Sequence, residues 1–289
     1  MRAVFTKKQR EDTITHDGYL VVDFLNPDEL EEVQKGTREL GFGMDHEKKL
    51  RMSVVQDSVE KRNEIFEKLS PVFQRAADKC LHNYKVVRIG IFDKLPGGGD
   101  IRIHQHPNLV DESKYRSFTI WIPLTDTTVD MGTLHVVKGS HKFVNYVRSY
   151  DDIYNAFGRV SPRLMRKYST PLLLKAGQAV VFDDRLTHWS PPNKTSIIRT
   201  AFQLELIPQE AKLMIHYRAN DKELSQYDIS DEFYRATAVA HGKPDGLQEI
   251  GKINQPAVNY SNKQFIAMIH GVNPDERLKR NLFQRLFNL

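Results

Sequence analysis

Cysteine is all but missing from this chain: Cys80 is the sole one in 289 residues. An intrachain disulfide is therefore excluded, and a reducing, cytoplasmic setting is expected. In "FQRAADKCLHNY" Cys80 shares helical spacing with Phe73, Ala76 and Ala77, which suits a buried structural thiol. Long apolar runs are missing too. No stretch approaches the roughly 18 uninterrupted apolar residues of a membrane span, and the opening "MRAVFTKKQREDTITHDG" has no apolar signal region. Neither sign of charge dominates: 42 Lys and Arg stand against 37 Asp and Glu, a formal charge of +5. The basic residues form no stripe interleaved with aromatics, so nucleic acid is not an expected partner. A mild positive balance suits an anionic small-molecule substrate. Internal repeats and low-complexity tracts are absent, which argues against a solenoid.

What is present reads as one domain of three texturally distinct parts. Residues 15–83 hold a strand, "GYLVVDFL", and helices. The first helix has Asn26 as N-cap, Pro27 at its first position and Glu29 three after the cap. "RMSVVQ" reads as short and extended. Ser70-Pro71 reads as the break between two further helices. Residues 84–217 carry eight or so short β-rich runs punctuated by Gly, Pro and Asp, the texture of a closed barrel or double-sheet jelly roll. The segment 142–170 interrupts them as an irregular, partly helical insertion, and such insertions often wall a binding site. Its Lys and Arg residues could meet an anionic group. Residues 218–289 read as a polar, helical cap. Within it Leu278, Leu282, Phe283, Leu286 and Phe287 fall on one helical face, suited to docking on the barrel or to a homodimer contact.

Most of the eleven histidines sit in ordinary contexts. His135, in "TLHVV", reads as a satisfied core histidine. His104 and His106 differ, because residues two apart on a strand point to one face, and Pro107 keeps His106 extended. Two imidazoles on one face can chelate a divalent metal. His188 lies at a strand edge and Arg199 eleven residues later, across the turn "SPPNKTS". Two antiparallel strands would return Arg199 beside His188, and a guanidinium close to a metal is suited to a bidentate pair with a carboxylate.

These residues resemble a known family, the phytanoyl-CoA dioxygenase-like branch of iron(II)- and 2-oxoglutarate-dependent oxygenases. That family shows His-Gln-Asp, then Asp-Glu, a W-[IV]-P-L-x-D strand, G-x-L-x-V-x-x-G-S-H, and a distal His followed by x-Ser and a later Arg. Here these stand as His104-Gln105-His106, Asp111-Glu112, "WIPLTD" (121–126), "GTLHVVKGSH" (132–141), His188-Trp189-Ser190 and Arg199. "DGYLVVDFLNPDELEEV" is similar to the family's N-terminal strand and helix, so the resemblance spans residues 15–208. It implies a mainly β, cupin-like jelly roll (a double-stranded β-helix) with flanking helices. It also implies iron(II) at His104 and His188, Arg199 and Ser190 on the far carboxylate of 2-oxoglutarate, Trp121 in the pocket wall, and O2 as oxidant. His141 is expected to belong to a structural turn.

One position departs from the pattern. His106 stands where the family has Asp, and the two-His-one-carboxylate triad is the signature of such iron sites. A neutral imidazole leaves the metal with its keto acid one unit less negative. Relatives with a small residue there open a position for halide, but a ligating His keeps it filled. Three outcomes stay open: a three-His iron site of His104, His106 and His188 that uses 2-oxoglutarate, a three-His dioxygenase that does not, and a lapsed oxygenase that only binds. Asp111 or Glu112 could supply a carboxylate instead.

Overall fold

The computed structural model describes residues 4–5, 7–151, 156–236, 243 and 246–270. Two sheets carry the site. The larger runs in the order β1 (Tyr19–Asp23), β8 (Gln178–Asp183), β5 (Phe118–Pro123), β10 (Arg199–Pro208), β3 (Tyr84–Lys94), β2 (Leu50–Met52). The smaller runs β4 (Ile101–His104), β9 (His188–Ser190), β6 (His135–Val136), β7 (Thr170–Pro171). Neighbouring strands pair antiparallel throughout, for example β10 with both β3 and β5 and β4 with β9. This is the expected jelly roll.

Strand alternation sorts its side chains into two layers. On β10, Phe202, Leu204 and Leu206 face outward into a core shared with Val33 of α2 (Pro27–Glu39) and with Ile65, Leu69, Val72 and Phe73 of α4 (Val59–Asp78). The odd positions Arg199, Ala201, Gln203 and Glu205 turn into the space between the sheets. There Ala201 joins Trp121, Val180 and Phe182 from the larger sheet and Leu134 and Val136 from the smaller. Charged residues in that inner layer are the departure from an ordinary sandwich core.

The capping box at the start of α2 forms as its sequence implies: Glu29 N donates to Asn26 Oδ1 at 2.9 Å, and Asn26 N donates to Glu29 Oε2 at 3.0 Å. Elsewhere the structure corrects the sequence reading. No break occurs at Ser70-Pro71, and α4 is one 20-residue helix with Pro71 inside it. The buried stripe Ile65, Leu69, Val72, Phe73, Ala76 runs straight through, and the carbonyl that Pro71 leaves without a donor belongs to exposed Glu67. "RMSVVQ" divides into β2 and a short helix, α3 (Ser53–Gln56). A further helix, α1 (Lys8–Asp17), escaped notice because it buries little besides Ile14.

The described residues after Tyr217 are not mainly helical. β11 (Leu213–Asn220), β12 (Glu223–Ile229) and β13 (Glu249–Asn254) form a separate antiparallel sheet, joined to helices α6 (Asp231–Ala236) and α7 (Asn262–Ile269). Its alternation is faint in the sequence because β13 is largely exposed. Asn220 makes the hairpin turn, its Oδ1 accepting from Lys222 N at 2.9 Å. The insertion contributes a 3-10 turn at Ser140–Phe143 and helix α5 (Pro162–Tyr168). Phe157, Val160 and Met165 there pack on Phe265 and Met268 of α7. The amphipathic stretch from Leu278 to Phe287 lies outside the described residues.

At one end of the inner layer Arg88 stands opposite Glu205 in register, its Nη2 donating to Glu205 Oε1 at 2.9 Å. Tyr234 donates to Oε2 of the same carboxylate at 2.6 Å. Breaking a buried pair strands one charge, so Arg88→Met should cost roughly 3–5 kcal/mol in urea unfolding. Adding Glu205→Leu should recover most of that. A loss of only about 0–1 kcal/mol for the single variant, as for an exposed pair, would contradict the pairing.

Candidate metal centre and anion cradle

The pairing of β4 with β9 sets His104 directly against His188. His106 follows two residues on, past the end of β4, and its backbone N–H donates to Asp184 O at 3.0 Å. The three rings converge, with centroids 4.2 Å apart for His104 and His188, 4.8 Å for His106 and His188, and 5.6 Å for His104 and His106. One nitrogen from each lies within 4.8 Å of the others. It is the one such cluster of three among the described residues.

Hydrogen bonds fix the tautomers. His104 Nδ1 is 2.8 Å from Arg102 O, and His188 Nδ1 is 2.9 Å from Leu186 O. A carbonyl only accepts, so each Nδ1 carries the hydrogen and each Nε2 keeps its lone pair. His106 Nδ1 is 2.6 Å from Thr119 Oγ1, whose hydroxyl donates to Asp184 Oδ1 at 2.7 Å. Thr119 has one hydrogen and spends it on the carboxylate, so His106 Nδ1 must be the donor to Thr119. Burial, and then the neighbouring His106, push His104 down to about 3. Burial with both other rings holds His188 well below the usual imidazole value. A metal ligand has to be neutral imidazole, and burial favours that form in His104 and His188.

Beside the histidines lies the anion cradle. A cavity of about 50 Å³ is lined by His104, His188, Trp121, Ser190, Arg199 and Gln203, among others. Arg199 is 1% exposed, and its Nε and Nη2 make no hydrogen bond. A buried guanidinium left so incomplete calls for an anion. Lys94, 0% exposed, is its partner across the β3–β10 ladder, and like charges directly opposed on a sheet repel. Lys94 Nζ donates to Ser190 Oγ at 2.5 Å and to Pro191 O at 2.7 Å. Ser190 accepts there, which leaves its own O–H to donate. Burial and the Arg199 guanidinium push Lys94 down to about 6, and burial pushes Arg199 down to about 10.

The structure thus brings together His104, His106, His188, Arg199, Ser190 and Trp121. It adds Lys94, Thr119 and Asp184, which the sequence reading passed over. Lys94 could have been noticed as the last inward position of an alternating strand. Asp111 and Glu112 supply no carboxylate to the site. Asp111 pairs with Lys114 at 2.8 Å, and Glu112 holds Arg148 at 2.5 Å. Arg148 Nε in turn donates to His106 O at 2.6 Å, so Glu112 supports the site from outside it. His141 lies in the turn after β6, its Nε2 3.1 Å from Thr15 O. His135 is buried against Trp189, ring centroids 4.6 Å apart, but neither of its nitrogens has a hydrogen-bond partner, so it is not the satisfied core histidine expected.

Fold and site together define a jelly roll with three convergent, metal-competent imidazoles, those of His106 and His188 buried and that of His104 half-buried, beside an anion-accepting arginine. Residues 14–201 match the family model described as Phytanoyl-CoA dioxygenase (PhyH). The match covers well over half of the chain, and the chain belongs to this family. Phytanoyl-CoA dioxygenase 1 of Oryza sativa subsp. japonica is 33% identical over 119 residues, 40% of this chain and 42% of that protein. Phytanoyl-CoA dioxygenase of Arabidopsis thaliana is 30% identical over 121 residues, again 40% and 42%. The chain therefore spans less than half the length of these two relatives. Dioxygenase trt7 of Aspergillus terreus is 21% identical over 227 residues, 70% of this chain and 73% of that protein. Among solved structures, EvdO2 from Micromonospora carbonacea var. aurantiaca complexed with 2-oxoglutarate has a TM-score of 0.50 at 18% identity, covering 72% of this chain and 94% of that one. That likeness is one of fold.

Proposed function

We propose that the chain is a non-haem iron(II)- and 2-oxoglutarate-dependent oxygenase with a three-His metal site. His104, His106 and His188 hold the metal, and Arg199, with Ser190 and Lys94, takes the far carboxylate of the keto acid. The observation that carries this reading is the pair of unpartnered nitrogens on buried Arg199, in the same cavity wall as His104 and His188. A dioxygenase working without a keto acid would leave that guanidinium with nothing to bind. Iron(II) with 2-oxoglutarate and O2 supplies an oxidant for carbon–hydrogen bonds and releases succinate and CO2. The chain's own residues orient and dry the site. Phe92, Leu134 and Phe182 wall the cavity, and Trp121 lies beneath Arg199, 5.5 Å from ring centroid to guanidinium carbon.

The substrate is a small molecule, and a second cavity indicates its character. It measures about 590 Å³ and adjoins the first through Trp189 and the 188–192 strand end. Ile103, Phe157, Val160 and Met165 give it an apolar wall, while Arg166 and Lys194 outweigh Asp100 at its polar edge. An apolar skeleton bearing an acidic group fits such a surface. No helix among the described residues is long and apolar enough to cross a membrane.

Anaerobic addition of 2-oxoglutarate to the iron(II) protein should give a visible metal-to-ligand charge-transfer band. Arg199→Met should weaken that binding by roughly 2–5 kcal/mol, the usual loss when one partner of a buried charged pair is truncated. Unchanged affinity would place the anchor elsewhere. The presence of His106 also favours a second reading, a lapsed oxygenase, and succinate formed per iron separates the two. A working three-His site makes the wild type active and His106→Asp poorer, since Thr119 is placed to accept from an imidazole N–H. A silent wild type beside an active His106→Asp would establish the lapsed reading.

A further inference from the structure

With histidine at position 106 the metal site lacks the carboxylate its family carries there, yet a carboxylate is buried directly behind that histidine. Asp184 is 0% exposed. Its Oδ1 accepts from Thr119 at 2.7 Å and stands 3.4 Å from His106 Nδ1, while Oδ2 makes no hydrogen bond. Among the described residues no Lys or Arg lies within ion-pair distance of it, and its one such neighbour is His106. Glu205 also acts electrostatically on His106, but that carboxylate is already tied to Arg88 and Tyr234. Asp184 is thus a buried carboxylate whose one neighbour at ion-pair distance among the described residues is a candidate metal ligand, with the adjacent Arg185 feeling its field from farther off. Such a charge is costly in a dry interior unless positive charge develops against it.

The geometry gives it one path. Thr119 is an inward position of β5, Asp184 immediately follows β8, and these strands are paired. His106 is held at both ends, its N–H by Asp184 O and its carbonyl by Arg148. The chain His106 Nδ1–H to Thr119 Oγ1, then Thr119 O–H to Asp184, runs in one direction, so each bond polarises the next. We propose that Asp184, acting through Thr119, supplies from behind His106 the negative charge that the ligand position itself lacks, making the imidazole a stronger donor to a divalent metal. Thr119 and Asp184 are positioning residues in this scheme. The proton stays on Nδ1 and no bond is broken. Carboxylates placed behind metal-bound histidines raise ligand basicity in this way. The inference rests on the three-His reading of the site and adds how that site compensates for its missing carboxylate.

The test uses Co(II) alone, with affinity read by chelator competition and ligand field read from the visible d–d bands. The proteins are wild type, Thr119→Val, Thr119→Ser and Asp184→Asn. Thr119→Val and Asp184→Asn should each bind Co(II) roughly 10–100-fold more weakly, with shifted bands, and Thr119→Ser should restore both. The metal-free Asp184→Asn protein should unfold at or above the wild-type urea midpoint, because an unpaired buried charge has been removed. Val and Asn variants that bind Co(II) like wild type, with unchanged bands, would overturn the proposal while leaving the metal centre intact. Weakened binding that merely tracks a loss of metal-free stability would also overturn it. A wild type that takes up no Co(II) removes the metal-centre reading itself.

Discussion

Arg199 and Lys94 face each other across paired strands, both buried, with no carboxylate in ion-pair distance among the described residues. The site is organised around that constraint. An isolated pair of cations in a dry interior is unfavourable, and the protein relieves it in two ways. Lys94 is depressed to about 6, so at neutral pH burial favours its uncharged amine. Its nitrogen is also engaged by Ser190 and Pro191, which pins the strand end immediately after His188. Arg199 has no comparable relief. An anion entering the cavity would complete it and draw a proton onto Lys94, so anion recognition and the position of β9 are coupled through one side chain.

The metal-competent cluster follows the opposite logic, since its burial has to keep imidazoles neutral. His104 and His188 use backbone carbonyls two residues upstream to orient their rings. Such support is local and comes with the strand geometry. His106 instead depends on Thr119, Asp184, Arg148 and Glu112, drawn from β5, the end of β8, the insertion and the loop after Pro107. The position that departs from the family is thus the one with the most elaborate support. The same partners would receive an aspartate poorly, because Thr119 already donates its hydrogen to Asp184.

The family resemblance, the jelly roll and the same-face pair His104 and His106 were legible in the sequence because they rest on local motifs and short-range spacing, while Ser190 and Trp121 were implied by the resemblance alone. His104 and His106 are two apart; Arg199 and His188 line one cavity, but from different sheets, and β9 and β10 do not pair as the antiparallel strands the sequence suggested. The partners of His106 were not legible, since its contacts to Thr119 and Asp184 span 13 and 78 residues and depend on sheet register. Lys94 was hidden for the same reason: only the β3–β10 register sets it opposite Arg199. Pro71 misled because helix-breaking is a local rule, whereas the stripe from Ile65 to Ala76 is held by tertiary packing. The strands after Tyr217 were missed because a half-exposed sheet of polar residues shows little period-two contrast.

The central claim is that three imidazoles and a buried guanidinium hold one metal and one keto acid in the same cavity. An anaerobic crystal structure with iron(II) and 2-oxoglutarate tests it most directly. The account predicts Nε2 of His104, His106 and His188 all on the metal, and the far carboxylate on Arg199. His106 turned away from the metal, or the keto acid bound without Arg199, would contradict it.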